Sequence, residues 1–117
     1  MTVHQRAPEV SDADVDRVAR REFGLEQLAV VAEVLAQFDG REAPRIRLAA
    51  LKVARGDLAM LRKQIDDAPG YWREIIGEAE YPRATKRLTS LGKLPDAEQR
   101  RIHDADWADY QEWLRRP

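Results

Sequence analysis

The sequence predicts an all-α, compact, single-domain bundle of six or seven short helices. Three observations predict it. Apolar residues recur at three- and four-residue spacing, no stretch alternates convincingly as a strand would, and Gly and Pro cut the chain into pieces of helical length. With 117 residues the chain has the size of one domain. Residues 1–10 read as a flexible lead-in and residues 11–117 as the helical domain.

The first helix starts at Ser11, an N-cap with Asp14 three residues on, a relative of the capping box. Val15, Val18, Ala19 and Phe23 share one face, and Gly24 is expected to end it. A second helix follows at once. Its Leu28, Val31, Ala32, Leu35 and Phe38, widened by Val30 and Val34, predict a largely buried, central helix. Gly40 is the expected left-handed stop. Pro44 suits the first turn of the third helix, whose core face is Ile46, Ala49, Ala50 and Val53, with Leu48 and Leu51 beside it.

Gly56 and Asp57 read as the stop of that helix and the N-cap of the next, which runs through Leu58, Leu61 and Ile65 to an expected break at Pro69-Gly70. The stretch YWREIIGEAEYP then forms a fifth helix with Trp72, Ile75, Ile76 and Ala79 inward. Pro82 ends it, because proline removes an N–H and biases Tyr81 away from the α region. Residues 82–94 hold one short helix before Gly92. Pro95 opens a last long helix whose Trp107, Tyr110 and Leu114 form a stripe, leaving Trp113 at its rim.

Composition narrows the function classes. Hydrophobic residues make up 44% of the chain and charged residues 35%, which describes a core under a surface covered by both signs. Lys and Arg number 20 against 21 Asp and Glu, so no global field draws the chain to nucleic acid or anionic lipid. The absence of Cys removes disulfides, thiolate chemistry and Cys-ligated metal. No run approaches the roughly 20 apolar residues of a membrane span, and the first residues lack the apolar core of a signal peptide. A cytoplasmic protein is expected, and the richness in Ala, Arg and Asp points to a GC-rich bacterial source.

No catalytic constellation is legible. His4 lies in the lead-in and His103 has no second His one turn away, so neither a metal site nor a cofactor is expected. Ser11 reads as a cap, and Thr89 and Ser90 lack the context of a nucleophile elbow. The expectation is a protein that is not an enzyme.

Three surfaces remain as candidates. Glu74, Glu78 and Tyr81, at i, i+4 and i+7, either form a polar and aromatic strip for a partner's Arg or Lys, or are two solvated acids beside a ring that closes the helix end. The last helix either clasps the bundle through Trp107, Tyr110 and Leu114, with Trp113 left at the rim, or presents Trp113 as an anchor for a partner or second copy, and homodimerisation through this helix follows from the second alternative. Arg83, Lys86, Arg87, Arg100 and Arg101 either form a nucleic-acid patch or a solvated face. Arg45, Arg47, Lys52 and Arg55 give a second basic stripe.

GDL at residues 56–58, YWREIIGEAEYP at 71–82 and DWADYQEWL at 106–114 together resemble a group of small bacterial all-helical proteins. The group's pattern runs Gly-Asp-Leu, Tyr-Arg-Asp-Val-Leu, then Ala-Glu-Tyr-Pro. The resemblance implies a compact helical fold and no mechanism, and it singles out Ala79 to Pro82 as a surface to test. The leading expectation is a non-enzymatic interaction protein acting through a protein partner or self-association; the alternative is a nucleic-acid-associated regulator using residues 83–101.

Overall fold

A computed structural model describes residues 6–87 and 90–117; His4 and Thr89 lie outside them. The order of helices is α1 (Asp12–Ala36), α2 (Ala43–Ala54), α3 (Leu58–Glu80), α4 (Pro82–Lys86) and α5 (Asp96–Arg115), with a 3₁₀ turn at Leu91–Lys93. The fold is all-helical among the described residues, but with five α-helices rather than six or seven.

The difference in count arises at two breakers that bend a helix without ending it. Gly24 has φ 73 and ψ 174, a conformation open to glycine, and the helix resumes directly after it. Pro69 and Gly70 sit inside α3, and the helical geometry breaks just after them at Tyr71, with φ −128 and ψ 22, before the helix resumes. In α3 both halves continue on the same core: Leu61, Ile65 and Ala68 before the bend and Ile75, Ile76 and Ala79 after it are all buried. Two long, bent helices stretch the molecule to 47 × 30 × 22 Å.

The central helix is α2, not the second half of α1. Leu48, Ala49, Ala50 and Leu51 are all fully buried. Four successive residues at about 100° each sweep most of the helix circumference, so α2 is surrounded. Its alanines let neighbours approach closely. The second half of α1 lies at the edge instead, burying Val31, Val34 and Leu35 while Leu25 stands 77% exposed.

At the α1–α2 link the left-handed residue is Glu42, with φ 57, rather than Gly40. Gly40 instead lies close to the Phe38 ring, which a β-carbon there would meet at 3.0 Å and have to displace slightly. Gly56 and Asp57 behave as expected, Gly56 with φ 78 and Asp57 capping α3 by accepting from the Met60 N–H at 3.1 Å.

Ser11 and Asp14 form a full capping box on α1, the Ser11 N–H donating to Asp14 at 2.9 Å and the Asp14 N–H to the Ser11 hydroxyl at 3.4 Å. That backbone hydrogen bond, aided by Arg17 and opposed by partial burial, holds the Asp14 carboxyl below its ordinary value. A depressed carboxyl stabilises the fold above its unfolded pKa, and the stabilisation is lost as pH falls through the folded value. Ser11→Ala is therefore expected to cost about 1 kcal/mol in denaturant melts near neutral pH. Asp14→Asn should be less stable than the native chain at pH 7, and the gap should close in melts run towards pH 2.

No described helix is long and apolar enough to cross a membrane.

Candidate functional site

The Ala79-Glu80-Tyr81-Pro82 step is a packed corner where α2, α3, α4 and α5 meet. Ala79 is fully buried and Glu80 is 5% exposed. Arg45 of α2 grips Glu80 with both arms, Nε to Oε2 at 2.9 Å and Nη2 to Oε1 at 2.8 Å. This fork raises the Arg45 pKa, chiefly through its hydrogen bond to Glu80. Lys52, two turns further along the same face of α2, donates to the Ala79 carbonyl at 2.5 Å and lies 5.2 Å from the Tyr110 ring centroid. Burial lowers the Lys52 pKa, while its contact with a carbonyl at the C-terminus of α3 suits the helix dipole.

Asp106 of α5 completes the corner. It is 2% exposed and accepts from the backbone N–H groups of Arg83 at 3.2 Å and Ala84 at 3.1 Å, capping α4 from another helix. The Arg83 guanidinium reaches Asp106 at 3.1 Å and Asp109 at 2.6 Å. Both buried carboxylates are thus tied to arginines or backbone amides.

Tyr81 is half-buried against the core, and burial followed by the nearby Glu80 raises its pKa. It does not share a surface with Glu74 and Glu78. Residue 81 leaves the helix, with φ −141 and ψ 61, and its ring turns over Gly77. Glu74 and Glu78 instead line an open depression with Lys63, Asp67 and Tyr71. Tyr71 is 61% exposed there, at the bend of α3. Neither glutamate is in an ion pair among the described residues.

Trp113 is not at a rim: it is 7% exposed. Its indole N–H donates to Glu22 at 3.1 Å, the Arg21 guanidinium lies 5.0 Å from its ring, and it stacks on Tyr110 with centroids 5.4 Å apart. Arg21 also donates to the carbonyls of Trp113 at 2.7 Å and Arg116 at 2.8 Å, pinning the end of α5 to α1. Desolvation lowers the Arg21 pKa.

The basic residues divide. Arg83 is neutralised by two aspartates and Arg101 pairs with Glu98 at 2.7 Å. Lys86, Arg87 and Arg100 are exposed, with no ion pair among the described residues. The second stripe does not form a basic surface. Arg45 and Lys52 serve the corner, and Arg47 donates to the carbonyls of Leu35 at 2.9 Å and Phe38 at 3.0 Å at the end of α1.

Residues 6–10, expected as a loose lead-in, lie against α5. Arg6 pairs with Asp104 at 2.6 Å and stands 4.7 Å from the Trp107 ring centroid. His103 lines a small cavity there with Pro8, Tyr81 and Tyr110. Among the described residues no group of three or more His, Asp or Glu side chains is placed to hold a metal ion.

Sequence reasoning gave no individual role to Tyr71, Glu80 or Asp106, and the Ala79–Pro82 strip it singled out as a surface is a largely buried corner. Glu80 carried a signal, since it falls one turn after the core residue Ile76, and a charge on a core-facing position calls for a buried partner. Tyr71 carried none, because its exposure depends on where the bend points. Comparison with protein-family models, curated proteins and solved structures returns no match for the chain.

Proposed function

We propose that this chain is a non-enzymatic helical interaction protein of the cytoplasm, docking a protein partner through the outer face of α3. The observation that carries the reading is Tyr71, 61% exposed beside Glu74 and Glu78. Tyrosine has only two side-chain torsions to lose on binding and is a frequent hot-spot residue. The unpaired acids beside it suit a partner that presents Arg or Lys. The buried carboxylates Glu80 and Asp106 support the reading differently, since each is spent on a structural cation or cap rather than held ready for proton transfer. Tyr81 and Trp113 serve the interior in this reading, and the docking role passes to Tyr71.

The test is recovery of the tagged chain from its host, with and without nuclease and at low and high salt. A partner that survives both treatments and binds Tyr71→Ala at least about 30-fold more weakly, equivalent to roughly 2 kcal/mol, supports the proposal. Full retention by Tyr71→Ala combined with Glu74→Lys sinks it. Nucleic acid that is released by salt, and lost on replacing Lys86, Arg87 and Arg100 with Ala, would favour the alternative regulator.

A further inference from the structure

Residues 6–10 run along α5, with Pro8 buried, Val10 half-buried and Ala7 and Glu9 bordering a shallow depression beside Trp107, Gln111 and Leu114. Arg6 and Pro8 line the α5 cavity and Val10 packs on the core edge, while Ala7 and Glu9 are exposed. The Arg6 guanidinium is held between the Asp104 carboxylate and the Trp107 ring. Pro8 is buried beside Tyr81, His103 and Tyr110. An acid to take an arginine, and aromatic rings to flank a proline two residues later, is the chemistry by which folded domains read extended proline-containing segments.

The strap fills this groove incompletely. Beneath it lies a cavity of about 20 Å³, lined also by Glu80 and Asp106. The Tyr110 hydroxyl is buried there, in a residue 1% exposed, with no hydrogen-bond partner among the described residues. Burial, then the neighbouring Glu80, raises the Tyr110 pKa, so the hydroxyl remains a donor. The strap's grip is also light, because the side chains of Arg6 and Asp104 are 50% and 60% exposed and exposed ion pairs contribute little.

We propose that the groove between Trp107 of α5 and Tyr81 at the α3–α4 corner is a docking site for an extended partner segment of the form Arg-x-Pro-x-aliphatic, which the chain's own residues 6–10 occupy as a displaceable internal competitor. A partner segment that also offers a neutral acceptor to the Tyr110 hydroxyl outcompetes the strap. This site shares no lining residue with the Tyr71 face and stands or falls separately from it.

The experiment uses the full chain and a fluorescently labelled peptide, Gln-Arg-Ala-Pro-Glu-Val, which copies residues 5–10. Arg6→Ala with Pro8→Ala opens the groove. Because a tethered competitor acts at an effective concentration in the millimolar range, the opened chain is expected to bind the peptide at least about tenfold more tightly than the native chain. Adding Asp104→Lys or Trp107→Ala to the opened chain should abolish binding, as should alanine in place of the peptide's Arg and Pro. Equal binding by native and opened chains, or equal binding of the alanine peptide, overturns the proposal. Sedimentation decides against it in another way: if the native chain dimerises with concentration and the opened chain does not, the groove takes the strap of a second copy instead.

Discussion

Replacing Glu80 with Ala is expected to destabilise the chain by about 3–5 kcal/mol, the usual cost of leaving one member of a buried ion pair alone. Glu80 is 5% exposed and accepts both arms of Arg45. Without it, a guanidinium only 18% exposed keeps just the distant, exposed Glu42 carboxylate at 3.9 Å as counter-charge. Small domains have only about 5–15 kcal/mol in total, so the variant should show a large fall in denaturation midpoint at an unchanged slope. The pair itself is a different matter from the loss of one partner. Arg45→Met with Glu80→Leu fills similar volume without desolvating charge, and should recover most of the loss. A double variant as unstable as Glu80→Ala would show that the corner needs the ion pair and not merely a neutral, filled space.

Trp113→Ala should also cost about 3–5 kcal/mol, the range for truncating a buried aromatic. It removes the stack on Tyr110, the hydrogen bond to Glu22 and the ring facing Arg21. The contacts with Glu22 and Arg21 join α1 to α5, the first and last helices. The melt should therefore show early loss of α5, visible as hydrogen exchange in residues 107–114 faster than in α2. Trp107→Ala, by contrast, removes a ring that is only half-buried and covered by Arg6, and should cost much less. A Trp113→Ala chain as stable as the native one would overturn the assignment of this residue to the core.

The contrast between the tryptophans shows where sequence reading stops. Trp107, Tyr110 and Leu114 share a stripe that helical spacing displays, and Tyr110 and Leu114 are buried. Trp113 sits beside that stripe, and its burial depends on Arg21 and Glu22, some 90 positions away, crossing the end of α5. Glu74, Glu78 and Tyr81 fall on one face only if the helix continues through residue 81. The proline at 82 ends it, and the ring turns over Gly77.

What the sequence determined by itself is local: helical periodicity, the capping box at Ser11, the cap at Asp57, the positions of the breakers and the absence of described strands. Periodicity and capping act within a turn or two of chain, so they can be read from neighbouring residues. Tertiary structure alone decided whether Gly24 and Pro69 would end a helix or bend it, which helix became central, and which charges were buried. Those outcomes depend on what packs opposite. The pairing of Arg45 with Glu80 and the capping of α4 by Asp106 join residues 22 to 35 positions apart. Only the folded chain brings them within hydrogen-bond range, where desolvation makes each charge's partner matter.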